Sequence, residues 1–253
     1  MSFSSRLTAS SSSSSSAFVL GPAPIGTSGV FVATFAGLLA LLLWDASGLD
    51  LAMARWAGGP HGFALRDDPV FIQVFHEVPR LLSWLCVAGL LVAIRWPVGL
   101  LRRLARAERV QLALTVLASV IAVSLLKRGS HSSCPWDLRE FGGTAVYVSH
   151  WAWGVSDGGP GGCFPAGHAS AALAYVGGWF VLRRRLPRAA AVWLASALVL
   201  GLALGLAQQW RGAHYMSHTL WSAWICWSIG WLGDLLAHTR WRTGDLLSKL
   251  NEF

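Results

Sequence analysis

The chain has 253 residues, 54% of them hydrophobic and only 13% charged, with a formal net charge of +8. Soluble domains carry roughly 25% charged residues, so this chain lacks the polar surface to cover a water-facing globule, and its main solvent is lipid. The basic excess does not mark a nucleic-acid binder, because the arginines cluster at the ends of apolar runs rather than on one polar face.

In chain order, residues 1–28 form a Ser-rich tail with an unbroken serine run from Ser10 to Ser16. It lacks the apolar core of a signal peptide and is expected to be disordered. Six apolar runs follow, at roughly 29–47, 79–97, 109–126, 165–182, 189–207 and 217–237. Each approaches the length of about 20 residues that spans a bilayer, the fourth only if Pro165 to Ser170 forms its first turn. The expectation is an all-α polytopic membrane bundle of about six transmembrane helices over 29–238, followed by a cytoplasmic tail at 239–253.

Charge orients these runs. The connections after the second and fourth runs, with the two tails, hold thirteen basic residues, among them Arg102, Arg103, Arg106, Arg183, Arg184 and Arg185. The opposite side holds seven. By the positive-inside rule both termini are cytoplasmic, and the long 127–164 connection lies outside. Tryptophans at run ends, such as Trp44, Trp84, Trp96, Trp210 and Trp221, fit interfacial belts. The excess of arginine over lysine, with many Ala, Gly and Leu, suggests a GC-rich bacterial genome, hence a cytoplasmic (inner) membrane with a periplasmic outer face.

Chemistry concentrates on that outer side. The long connection opens with Lys127-Arg128-Gly-Ser-His131, passes Cys134-Pro135-Trp136-Asp137 and ends at Cys163-Phe164-Pro165-Ala166-Gly167-His168. Pro165 suits a first helical turn, Gly167 lets a ligand approach the backbone, and the free amides of such a turn favour an anion. His168 is placed to donate a proton to a leaving oxygen. After the fifth run comes Gln208-Gln209-Trp210-Arg211-Gly212-Ala213-His214-Tyr215-Met216-Ser217-His218. His214 and His218, four apart, share one face of a helix, and Arg211 falls near it. An anion between Lys127, Arg211, His168 and His214 would be well supplied with donors.

Taken singly, each of these residues has a plainer reading. A lone interfacial histidine is ordinarily an amphipathic residue at headgroup depth, and Lys127 or Arg211 could simply meet lipid headgroups. Trp136, Trp151 and Trp153 serve as interfacial anchors as readily as they line a mouth. His131 and His150 have no evident partner and read as loop residues, and Cys86 and Cys226 read as packing residues in apolar runs. The convergence of two histidines and two cations beside a Gly-Pro turn favours a site.

These residues resemble the motifs of the membrane phosphatidic-acid-phosphatase type 2 (PAP2) superfamily: Lys-x6-Arg-Pro, Pro-Ser-Gly-His and Ser-Arg-x5-His-x3-Asp. Lys127 and Pro135 match the first, Pro165, Gly167 and His168 the second, and His214 within Gly212-Ala213-His214-Tyr215 the third. The resemblance covers most of 29–238 and implies a six-helix fold with a lipid-phosphate phosphatase site. It implies a phosphohistidine on His214, with His168 protonating the leaving group and water completing hydrolysis, without metal or cofactor. The substrate partner would be a phosphorylated lipid in the bilayer: an isoprenyl pyrophosphate, a phosphatidic or phosphatidylglycerol phosphate, or the phosphates of lipid A.

Several positions depart from the motifs. Cys134 and Gln208 stand where arginines are expected, Ala166 where serine is, and His218 where aspartate is. Arg211, one turn beyond Gln208, and Arg128 and Arg139, beside the first motif, are the candidate replacement cations. His218 or Asp137 is the candidate orienter of His214, His218 acting as a neutral imidazole. Cys134 and Cys163, both on the oxidising side, form a candidate disulfide that would tie the two motif segments together. Phosphotransfer to a second lipid uses the same intermediate as hydrolysis, and a lipid-phosphate binder with a decayed site is the non-enzymatic alternative.

Overall fold

The structure is a computed structural model that describes residues 26–152 and 154–250, side chains at Thr27 and beyond 239 excepted. Helix α1, Thr27–Ser47, ends at a left-handed Gly48 and turns at once into the short α2, Leu49–Ala57. A two-residue hairpin follows, β1 (Gly58–Gly59) pairing antiparallel with β2 (Gly62–Phe63). Helix α3, Pro69–Ile72, starts on the Asp68 side chain, which accepts from Phe71 N at 2.6 Å. It passes through a π-helical turn, Gln73–Glu77, into α4, Val78–Arg95. Helix α5 is Arg106–Arg128, with Glu108 Oε2 accepting the Ala105 N–H at 2.7 Å to close its N-terminus. Helix α6, Gly167–Leu173, continues by a 3-10 turn, Ala174–Gly177, into α7, Gly178–Leu182. Helices α8, Pro187–Trp210, and α9, Met216–Leu250, complete the chain.

The fold is an all-α membrane bundle. Helical structure occupies each of the six apolar runs, and four stretches are long and apolar enough to cross a membrane: Ser28–Ser47, Pro69–Arg103, Arg106–Arg128 and Pro187–Trp210. The fourth run is shorter and broken by its 3-10 turn, and α9 is diluted by tryptophans and Asp234. Helix α9 also runs on to Leu250, so the tail expected from 239 is a continuation of that helix. Of the Ser-rich tail, residues 1–25 lie outside the described residues.

Leu112, Val116, Leu173, Phe180 and Leu182 form the bundle core, whereas Leu43 and Val199 stand 63% and 66% exposed on outer faces that suit lipid. At the end of the bundle opposite the 129–166 loop, buried Asp234 takes Arg183 Nη2 at 2.8 Å, and Arg183 also lies over the Trp179 ring.

The loop over 129–166 is a structured cap. Phe63, Leu138, Phe141, Ala145 and Tyr215 form a second small core between it, the hairpin and the start of α9. Buried Asp157 accepts from Ser133 N at 2.6 Å and Ser133 Oγ at 2.9 Å. Asp45, at the end of α1, accepts the indole N–H groups of Trp151 and Trp221, each at 2.9 Å. These bonds fix the cap over one end of the bundle.

Candidate active site

Two turns bring the histidines together. Helix α8 ends at Trp210 and the chain turns at Gly212, whose φ of +75° suits glycine and where an added Cβ would clash with the Phe63 ring. Ala213 N then donates to Gln208 O at 2.8 Å, and His214 turns inward, 1% exposed. On the facing side, Ala166 N donates to His218 O at 3.1 Å, docking the turn before α6 onto α9. His168, half-buried on that turn, places Nδ1 3.2 Å from His214 Nε2. The charged or ionisable groups that bear on His168 are His76, Lys127, Arg211 and Arg80.

Cys134 and Cys163 are joined in a disulfide with Cα atoms 5.2 Å apart. Their sulfurs approach His214, but being bonded to each other they offer no thiolate pair to a metal. The Cys163 sulfur lies 3.2 Å from Ala213 O and 3.7 Å from His214 Nδ1. The Cys163 carbonyl takes His218 Nδ1 at 3.1 Å. Burial holds the His214 imidazole well below the usual histidine range, reinforced by the Lys127 charge and by His168 and His218. The Cys163 main chain works the other way, accepting a hydrogen bond that favours a proton on His214. A neutral His214 with one free ring nitrogen is the protonation state a nucleophile needs.

Several residues sit differently from the sequence expectation. His218 bonds Cys163 O and meets His214 only edge-to-ring at 5.9 Å, so the Cys163 main chain, not the His218 side chain, is the group beside His214 that can orient it. Asp137 accepts from Cys134 N at 3.2 Å, capping the turn at Pro135 instead of orienting His214. Arg211 gives Nε and Nη2 to Arg66 O at 3.2 and 2.8 Å and Nη1 to Gln208 Oε1 at 3.1 Å. Three of the five guanidinium N–H groups thus brace the protein. Arg128 is exposed, without a hydrogen-bond or ion-pair partner among the described residues, and Arg139 braces Thr144 O at 3.0 Å. Lys127 is half-buried against Gly167, where a Cβ would meet its Cδ at 3.6 Å, an ordinary contact.

Two histidines gain partners that sequence reading missed. His150 stacks on Phe164 with ring centroids 4.2 Å apart, and its Nε2 lies 3.4 Å from Asp45. His76, on the π-turn, packs its ring 4.3 Å from that of His168. The signal for His76 is Pro79. Proline has no N–H to offer Phe75 O, four residues back, and its ring crowds that carbonyl. The helix widens there, Val78 N bonding Gln73 O, and Gln208 Nε2 donates to the freed Phe75 O at 2.9 Å. The glutamine at a motif arginine position therefore supports the turn that carries His76.

A sequence model of the PAP2 superfamily matches residues 108–242. The chain belongs to the PAP2 superfamily. No curated protein and no solved structure matches it. The PAP2 match takes in Lys127, His168, His214 and the disulfide but excludes α1 to α4, and with them His76.

One consequence of this burial is measurable without substrate. His150 and His214 are both held below the ordinary histidine value, chiefly by burial. Below about pH 6.5 the unfolded chain binds more protons at these positions than the folded chain does. Stability in detergent therefore falls from pH 7 to 5, by up to about 1.4 kcal/mol per pH unit per histidine. Melting of His214→Asn across this range should lose part of the slope; an unchanged slope counts against a neutral buried His214.

Proposed function

We propose that this PAP2 protein is a metal-independent lipid-phosphate phosphatase that works through a phosphohistidine on His214 at the periplasmic face of a bacterial inner membrane. The observation that carries the reading is the 3.2 Å approach of His168 Nδ1 to His214 Nε2 beneath the disulfide-tied cap. With the proton of His214 on Nδ1, beside Cys163, its Nε2 keeps a lone pair. That lone pair attacks phosphorus, the P–O bond to the lipid breaks, and the leaving oxygen takes a proton from the His168 imidazolium. Water then attacks the phosphohistidine and gives a proton to His168, and inorganic phosphate leaves with His214 restored. Reacting atoms in line stand about 3–3.5 Å apart, so a phosphoryl group and its leaving oxygen do not fit within the resting gap. The rings part as substrate enters. Lys127, against the His168 turn, supplies fixed positive charge for the phosphoryl oxygens.

An apolar cleft of about 850 Å³ between α4, α6 and α8 supports a lipid-linked substrate. Phe75 and Leu204 line its outer end, Ala171 places it one turn beyond His168, and Cys86 and Trp193 line it deeper in the bundle. A hydrocarbon chain in this cleft would leave its phosphate near the histidines. The periplasmic assignment follows the charge asymmetry of the connections. A non-catalytic lipid-phosphate binder is the second reading, favoured by the engagement of Gln208 and Arg211 with protein groups.

Purified full-length protein in detergent should release phosphate from at least one of a polyprenyl diphosphate, phosphatidate and phosphatidylglycerol phosphate. Release should be insensitive to chelator and lost in His168→Ala. Phosphate appearing on a second lipid makes the protein a phosphotransferase. No turnover of any lipid phosphate, with tight binding of one, makes it a binder.

A further inference from the structure

We propose that His76 is a third histidine of the site, a positioning residue that acts through His168, and that Glu77 and the π-turn exist to hold it there. The inference rests on the phosphatase reading above and extends it to a helix outside the matched PAP2 stretch. His76 and His168 pack with ring centroids 4.3 Å apart and planes inclined by 44°. His76 is itself anchored: Nδ1 lies 2.8 Å from Glu77 Oε1, and the other Glu77 oxygen accepts Arg80 Nη2 at 2.7 Å. An anchored ring against one side of His168 limits the orientations open to that imidazole, leaving Nδ1 directed at His214 Nε2.

The surrounding construction has the same purpose. A regular helix through Pro79 would leave Phe75 O crowded and without a donor; the π-turn inserts extra backbone at 73–77 and shifts the facing of the residues within it. Gln208, fully buried, bonds the freed Phe75 carbonyl. Arg211 holds Gln208 through its Oε1 and, by its other bonds, ties this assembly to Arg66 O. A chain of side chains thus runs from the end of α8, beside His214, to the turn that presents His76 to His168. The two residues in the region of the altered third motif, Gln208 and Arg211, are both used in this support.

A residue that acts by orienting the general acid matters only when the leaving group needs a proton. His76→Ala should lower kcat/KM for an alkyl lipid phosphate by about tenfold or more. It should leave kcat/KM for p-nitrophenyl phosphate, whose leaving group departs unprotonated, within about twofold. His76→Ala combined with His168→Ala should be no slower than His168→Ala alone, because the two act on one step. Glu77→Gln, which keeps the shape of the side chain, should show the same selectivity to a smaller degree and serves if His76→Ala does not fold. Equal losses on both substrates, or losses that multiply in the double variant, would mean a structural role and overturn the proposal. So would wild-type rates for both variants. Wild-type protein inactive on every phosphate ester would instead overturn the phosphatase reading itself.

Discussion

His214→Ala should abolish turnover, lowering phosphate release by about 10³-fold or more, and should remove the covalent phosphoprotein expected of wild-type protein with labelled substrate. The expectation follows from what is unique to this imidazole. It is fully buried, kept neutral, and has one ring nitrogen against His168 and the other beside Cys163. His218 is equally buried, but its Nδ1 is bonded to the Cys163 carbonyl, and Phe164 and Tyr215 pack edge-on against its ring. Quenching a labelled reaction in alkali, where phosphohistidine survives, separates the two candidates. Label should persist in His218→Ala and vanish in His214→Ala. With an activated leaving group it should accumulate in His168→Ala, since water attack then lacks its base. Label retained in His214→Ala would place the covalent step elsewhere.

The parts of this molecule legible in sequence are those with local signatures. Apolar runs bounded by arginines announce helices, and the Gly-Pro turn before His168 announces itself through the backbone conformations those residues permit. The break between α8 and α9 does not, so His214 lies in a turn and not, as its spacing from His218 suggested, on a shared helical face. What escaped reading depends on acceptors without a signature. Arg211 looks like a phosphate ligand because its sequence neighbours are site residues, yet its strongest bonds go to the carbonyl of Arg66, 145 residues away. His150 looked solitary because its partner Asp45 lies on another helix, remote from it in sequence. The π-turn was readable in principle, since a proline leaves the carbonyl four residues before it without its helical donor, but the donor that replaces it, Gln208, is 133 residues from Phe75. Gln208 therefore looked like a lost arginine and not a gained support.

Removing the Cys134–Cys163 disulfide should cost more than a loop crosslink alone predicts. By chain entropy, a closed loop of this size contributes roughly 3–4 kcal/mol, for a sequence separation of 29. The bridge also holds the geometry of the candidate site. Cys163 N donates to Ser132 O at 3.0 Å, the Cys163 carbonyl takes His218, and its sulfur packs against the main chain of the His214 turn. Cys134 begins the turn that meets Gly212, with Trp136 N donating to Gly212 O at 3.0 Å. One covalent bond thus ties the segment before His168 to the segment that docks the His214 turn. In melting experiments, reductant should bring wild-type protein to the stability of the Cys134→Ser/Cys163→Ser double variant and have no effect on that variant. Activity should fall with it even below the melting temperature, because the His214 turn loses its fixed contacts with Cys163. Two free thiols at these positions in unreduced protein, or a double variant with wild-type turnover, would separate the bridge from the chemistry. If activity instead falls while kcat/KM for p-nitrophenyl phosphate falls equally, the bridge acts on the nucleophile rather than on the acid, as its contacts with the His214 turn require.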